Sequence, residues 1–403
     1  MELKTFKIEL ESLSPILITV TEGYRGFLYR SLRYYIPGSV IQGSIMTTSI
    51  SEGLLRVNEA YSIVNKELFN TTPALTTIDF NYKYIKDLGI AHALCLRPKV
   101  KSKKMKRKYV ISIDVGKIIK ELTLKQVNFS EMVKEVLDRS IIDIARELEV
   151  HPADLEDCSG FPIIKQEKTW ILMEDEERIR ILPKTHISIE VKDWGGTVPG
   201  ALYAYEYIER GLKFKSHISC PKESTIYKIL KQLESIGYVN ARIGKATSRG
   251  LGMIRLKLIE YPIEDLIDQV GINEINVNDK IIALETLSIT SVLDPLPRPL
   301  KTGDEVSDKL NLGLKMQVVG ILESKHGARE YRGWSIATNT PKLTIKGLPQ
   351  GSIIFTRITK TPPTTNQLHQ ALISLLLLGL GPISQGFNIV YPFKKDPYIL
   401  EVK

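Results

Sequence analysis

The chain has 403 residues, 43% hydrophobic and 25% charged, the composition of an ordinary globular protein with room for roughly two to three domains. Its 55 Lys+Arg against 46 Asp+Glu give a formal net charge of +9, a balance that favours a polyanionic partner. No apolar run is long enough to span a bilayer, and the opening Met1-Glu-Leu-Lys-Thr-Phe lacks the apolar core of a signal peptide, so a cytoplasmic location is expected. Cys95, Cys158 and Cys220 lie far apart with no paired metal-ligand spacing. Neither a metal nor a cofactor is expected.

Phe6, Ile8 and Leu10 alternate with Lys7, Glu9 and Glu11, which predicts an amphipathic opening strand. Ile36-Pro-Gly-Ser-Val-Ile-Gln-Gly-Ser-Ile45 reads as a turn into a helix, with Ser39 placed to cap it. A long insertion, roughly residues 52 to 183, follows. Its pattern predicts a helix from Ser130 to Glu149, and it carries a run, Lys99 to Lys108, with seven cations in ten residues. Such a run is either a solvated loop or a phosphate contact through Lys101, Lys103, Lys104 and their neighbours. Ile187, Ile189 and Val191, then Leu212, Phe214 and Ile218, alternate as two strands. Ser224 opens a helix with Ile226, Ile229, Leu230, Leu233 and Ile236 on one face, closed by Gly237.

Arg242-Ile-Gly-Lys-Ala-Thr-Ser-Arg-Gly-Leu-Gly252 comes next and feeds the alternating strand from Ile254 to Leu258. Gly244, Gly250 and Gly252 allow positive φ and close approach of backbone. Arg242, Lys245, Thr247, Ser248 and Arg249 add charge and donors at the same place. A phosphate chain suits that loop; a hairpin turn with solvated lysines is the alternative. It is not a nucleotide P-loop, for it lacks the lysine-hydroxyl ending and precedes a strand rather than a helix.

The order strand, helix, strand, strand, helix, strand predicts an α+β fold of the ferredoxin-like, RRM-like βαββαβ kind. Much of the pattern recurs. Ala283 to Val292 and Gly351 to Ile358 read as strands, and Thr364 opens an apolar helix with Leu368, Leu372, Leu375 and Leu376 inside. Gly379-Leu-Gly-Pro-Ile-Ser-Gln-Gly386 then leads into a strand from Phe387 to Tyr391. Two ferredoxin-like domains are expected: 1–260, holding the insertion, and 281–403, with a linker near 260–280.

Three stretches carry a family resemblance. Ile36 to Gly43 is similar to the Ile-Pro-Gly-Ser-Ser-hydrophobic-Lys-Gly signature of the RAMP superfamily, the RNA-binding subunits of CRISPR effector complexes. Thr197-Val-Pro-Gly-Ala-Leu-Tyr-Ala-Tyr-Glu206, running into Gly211-Leu-Lys-Phe214, is similar to that family's segment between the middle strands. Gly244 to Gly252 is similar to its glycine-rich loop. Tyr331-Arg-Gly-Trp-Ser335 and Gly347-Leu-Pro-Gln-Gly-Ser-Ile353 resemble the type III subunits that bind the 5′ tag of guide RNA, and the large insertion resembles the type III-D version. Such relatives often carry paired cysteines in the insertion, whereas Cys158 stands alone in Leu155-Glu-Asp-Cys-Ser-Gly160.

The resemblance implies a capping subunit without catalytic residues. It would hold the 5′ tag of a CRISPR guide RNA, dock a large polymerase-like subunit on one side and meet the first backbone subunit on the other. Gly38, Ser39, Gln42 and Gly43 would bring helix N-terminal amides to a phosphate. Arg242, Gly244, Lys245, Thr247, Ser248, Arg249, Gly250 and Gly252 would grip the backbone, and Trp334 beside Arg332 would stack on a base. The competing class is a metal-independent ribonuclease maturing guide RNA through a histidine, His186 or His217 being placed for it. A protein-only scaffold is the third reading.

Overall fold

A computed structural model describes residues 2–18, 28–29, 35–77, 83–86, 93–98, 108–124, 128–147, 149–157, 163–166, 169–172, 184–191, 197–264, 272, 275, 279–324, 329–331, 334–335, 340–341, 343–381, 385–393 and 399–402. These hold six α-helices and several largely antiparallel sheets. None of the described helices is long and apolar enough to cross a membrane.

The first half is built on β1 (Leu3–Ser12), α1 (Gly38–Ser51), α2 (Val57–Lys66), the short pair β2 (Asn70–Thr71) and β3 (Ala74–Thr77), β4 (Lys213–Pro221), α5 (Thr225–Ile236), β5 (Tyr238–Arg242) and β6 (Met253–Tyr261). The sheet runs β5, β6, β1, β4, β3, with β2 also on β4. β1 lies between two antiparallel neighbours, Phe6 facing Ile218 on one side and Glu260 on the other. Alternation along β1 puts Phe6, Ile8 and Leu10 into a core with Ile41 and Ile45 of α1 and Ile226, Ile229, Leu230 and Leu233 of α5. Ser224 caps α5 by accepting from the Tyr227 amide at 3.2 Å, and Gly237 ends it at φ +85°.

The second strand of this sheet differs from the expectation. The run from Ile187 to Val191 alternates but pairs with 197–207 in a separate hairpin. Its place is taken by β2 and β3, which follow α2 directly. The insertion between the core strands therefore begins beyond Thr77 rather than near residue 52. Ser39 is also not a cap. Helix α1 starts at Gly38 after Pro37 with no side-chain cap bond, and the Pro37 carbonyl accepts from the Val40 and Ile41 amides.

The second half contains β7 (Ile281–Thr286), β8 (Glu305–Ser307), β9 (Lys315–Leu322), β10 (Ile353–Lys360), α6 (Thr365–Leu377) and β11 (Val390–Pro392), with sheet order β8, β9, β10, β7, β11. Among the described residues no helix separates β7 from β9, where the duplicated pattern requires one. The chain there forms a hairpin of Ser291–Asp294 with Leu296–Pro299. One face of the sheet packs on α6 through Leu284, Met316, Ile354, Leu368, Leu372 and Leu375.

The other face is covered by the insertion. Helices α3 (Val115–Leu124) and α4 (Phe129–Glu147) bring Val115, Ile118, Leu122, Met132 and Val136 onto Ile281, Ala283, Ile353 and Phe355. A Cβ added at Gly320 of β9 would meet the Phe129 ring at 2.1 Å, so glycine lets α4 seat there. All six residues of β7 are buried as a result. The insertion is tied in again at its strands. Ile399–Val402 pairs with Lys108–Ser112, which continues through 93–98 to 155–157. Although it interrupts the first half in sequence, the insertion completes the core of the second.

Candidate nucleic-acid interface

The loop between β5 and β6 is held by its backbone. The Ile243 amide donates to Gly252 at 2.8 Å, Lys245 to Leu17 at 2.8 Å and Gly252 to Pro15 at 2.7 Å, and Arg249 closes a tight turn on Ala246 at 3.0 Å. The Met253 amide donates to the Ser14 hydroxyl at 2.8 Å. An added Cβ would lie 2.4 Å from the Leu17 carbonyl at Gly244 and 1.9 Å from the Ile243 carbonyl at Gly252. Those two glycines thus serve close approach of the chain to itself. Gly250, at φ +86°, has open space around it. Arg242, Lys245, Ser248 and Arg249 are exposed along the rim, with Thr247 half-buried among them. A fixed backbone carrying exposed cations and a hydroxyl on its rim is the arrangement a phosphate chain requires.

Gly38, Ser39 and Gln42 are placed differently. A Cβ on Gly38 would meet the Thr71 carbonyl at 1.9 Å, and one on Gly386 would meet the Ser39 amide nitrogen at 2.1 Å. The start of α1 is therefore sealed by β2 and by the second glycine-rich loop, and the expected seat for a phosphate is filled by the chain itself. Gln42 is 3% exposed, and neither atom of its amide finds a partner among the described residues. Gly43 alone of the signature is exposed with open space beside it. Tyr331 packs on Phe387 with ring centroids 5.5 Å apart; burial pushes its phenol pKa up, and the adjacent Ser39 hydroxyl opposes that rise.

The second loop is a joint between the halves. Asn70 donates through Nδ2 to the carbonyls of Leu378 at 2.8 Å and Phe387 at 3.1 Å, and its Oδ1 accepts from the amides of Gly386 and Thr71. Asn388, at φ +60°, donates to Ser291 at 2.8 Å and Leu380 at 2.7 Å and accepts from the Ser291 amide. Both side chains are at most 1% exposed. No local pattern marks either asparagine, because their partners are distant in sequence.

No protein-family model matches the chain, and no curated protein does. Solved structures do. Over 87% of its length the chain is similar to 86% of a chain in the type III-B Cmr-beta complex bound to cognate target RNA and AMPPnP, at 12% identity and a TM-score of 0.38. It is similar over 90% of its length to 99% of a chain in the Csm3-Csm4 subcomplex of the type III-A interference complex, at 14% identity and 0.33. Over 64% it is similar to 98% of oligomeric Cmr4 from Pyrococcus furiosus, at 14% and 0.28.

Lys101, Lys103, Lys104, Arg332 and the side chain of Trp334 lie outside the described residues, as do the side chain of His186 and all of Cys158. Two described histidines, His217 and His369, have packing roles. His217 lies on β4 against Tyr261, with ring centroids 5.5 Å apart, and burial together with the Lys7 cation pushes its pKa down to about 4. His369 bonds the Ile275 carbonyl at 2.8 Å. Burial pushes the Cys220 thiol up to about 12, a protonated and unreactive state. Among the described residues no group of His, Cys, Asp and Glu could hold a metal ion.

Proposed function

We propose that this chain is a non-catalytic RNA-binding subunit of a type III CRISPR interference complex. In this reading it caps the 5′ tag of the guide RNA, docks the large polymerase-like subunit on one side and meets the first backbone subunit on the other. The observation that carries it is the β5–β6 loop, whose backbone is fixed to residues 14–17 while Arg242, Lys245, Ser248 and Arg249 stand exposed. The three RAMP-like stretches of sequence support it, as does the basic net charge. We read both halves as ferredoxin-like domains, the second having lost its first helix and gained α3 and α4 in exchange. The non-catalytic assignment is supported by His217, since a histidine titrating near 4 is far from the range in which a general acid/base works at neutral pH.

The test is purification of the native complex, sequencing of its small RNA, and incubation of the isolated chain with a tagged guide RNA. A pool of spacers sharing one 5′ tag, and a tagged RNA that is bound and left intact with or without divalent metal, are the expected results. A single-site cut of a repeat RNA that disappears in His186→Ala would replace this reading with a maturation nuclease. An intact particle containing no RNA would replace it with a scaffold.

A further inference from the structure

The first sheet has a face that no described helix covers. Its burial alternates along β5 and β6, so that Tyr238, Asn240 and Arg242 point one way with Met253, Arg255 and Lys257. The strand register sets Lys257 beside Tyr238 and Arg255 beside Asn240, then Glu9 and Glu11 of β1, then Lys215 and Lys213 of β4. Among the described residues this surface therefore carries Arg242, Arg255, Lys257, Lys215, Lys213 and Lys7 against the carboxylates of Glu9 and Glu11, with Lys7 paired to Glu9 at 2.8 Å. Tyr238 is 62% exposed, on a strand at the sheet's edge. Lys257 and Arg255 approach its ring centroid at 5.2 and 5.9 Å. Arg255 also pairs with Glu11 at 3.3 Å, both side chains more than a third exposed, and such a pair is weak enough to exchange for another anion.

We propose that this open face binds a single-stranded stretch of RNA, with one base stacked on Tyr238 and the flanking phosphates on Arg255, Lys257 and Arg242. The proposal rests on the RNA-binding reading above and extends it to a second surface. Aromatic platforms flanked by cations hold single strands because every base offers a π-face, and Asn240 places an amide where a base edge would lie. The location fits. Tyr238 and Arg242 are four residues apart on one strand face, roughly 13 Å, and Arg242 opens the glycine-rich loop, so an RNA leaving the loop meets the aromatic next. Charge favours RNA over a protein partner, for among the described residues the exposed apolar surface here is little more than Tyr238 and Met253.

The test uses the full chain and a fluorescein-labelled single-stranded oligouridine, read by anisotropy over a salt series. Tyr238→Ala should weaken binding roughly five- to a hundredfold, while Tyr238→Phe binds like the parent. Arg255→Gln with Lys257→Gln should lower the salt slope by about two. Melting temperatures should hardly move, since Tyr238 and Arg255 are exposed and Lys257 is only half-buried. A parent chain that binds while Tyr238→Ala binds equally well overturns this inference and leaves the loop assignment standing. A parent chain that binds no RNA overturns both. If Tyr238→Ala keeps its RNA affinity but loses a subunit from the native complex, the face belongs to a protein partner and the inference fails.

Discussion

Two glycine-rich loops close the two halves of this chain, one between strands β5 and β6 and the other between helix α6 and strand β11, and they do opposite things. The β5–β6 loop uses Gly244 and Gly252 to dock its backbone on residues 14–17 and leaves its charged side chains outside. The described ends of the second loop, 379–381 and 385–386, turn inward, where Asn70 and Asn388 bond the backbone of Leu378, Leu380 and Gly386 and Gly386 lies on the start of α1. Glycine content sets what a backbone is able to do. The neighbouring side chains decide whether the loop meets a ligand or another part of the protein. Lysine and arginine cannot be buried without partners, whereas the apolar flanks of the second loop, Leu380 and Phe387, can.

The sharpest contrast is expected at the joint. Asn70→Ala leaves two carbonyls and two amides without their partner, and orphaned buried groups cost about 1–3 kcal/mol each. Urea denaturation should show a loss of at least about 3 kcal/mol, with RNA affinity unchanged for the folded fraction. Gly386→Ala, whose methyl would press on the Ser39 amide, should behave alike. Equal stability in both variants would contradict the buried joint.

Within the first loop the glycines should separate. Gly252→Ala drives a methyl to 1.9 Å from the Ile243 carbonyl and should destabilise by about 2–3 kcal/mol, combining strained φ with a backbone clash. Gly250→Ala meets only open space and should cost about 1 kcal/mol. Melting curves check the ranking, and its reversal would mean that the loop is not docked as described.

Much of this was legible in the sequence. The period-two pattern of Phe6, Ile8 and Leu10, the helix bounded by Ser224 and Gly237, and the cap at Thr364 all depend on neighbours within a few residues. The missing parts depend on distant ones. β2 and β3 are two and four residues long, too short to show a period, whereas the longer alternating run at 187–191 shows one clearly. The covering of β7, β9 and β10 by α3 and α4 was hidden because both helices lie far away in sequence. Their apolar faces mark burial without naming the surface they bury. At the candidate site the loop cations were readable. That Gly38 and Gln42 face the protein was not, because only the fold brings Gly386 to them.

Charge removal on the first loop should affect binding alone. Lys245→Ala with Arg249→Ala should lower guide RNA affinity and reduce the salt slope by about one per lost phosphate contact, without moving the melting temperature. An isotherm unchanged across salt concentrations would remove the loop from the interface.

A smaller effect is expected from pH. The His217 amide donates to the Thr72 hydroxyl at 2.8 Å, and the Thr72 amide donates to the His217 carbonyl, so this histidine borders the strand that carries Asn70. Its folded pKa is depressed to about 4 from the ordinary 6.5. The unfolded chain therefore takes up a proton first. Stability is complete above pH 6.5 and declines as pH falls toward 4. Between pH 6.5 and about 4.5, above the range where paired carboxylates titrate, the loss should reach about 1–2 kcal/mol after allowing for partial exposure. His217→Gln should flatten that part of the curve, and an unaltered pH profile would contradict the assignment.

The most direct test of the difference between the loops is amide hydrogen exchange of the full chain with and without guide RNA. In the free chain the amides of Gly386 and Asn388, bonded to Asn70 and Ile289, should exchange slowly, and those of Arg249 and Gly250, bonded within a local turn at the exposed rim, should exchange fast. Guide RNA should slow Arg249 and Gly250 and leave Gly386 and Asn388 as they were. Protection by RNA at 386–388 with none at 249–250 would contradict the account.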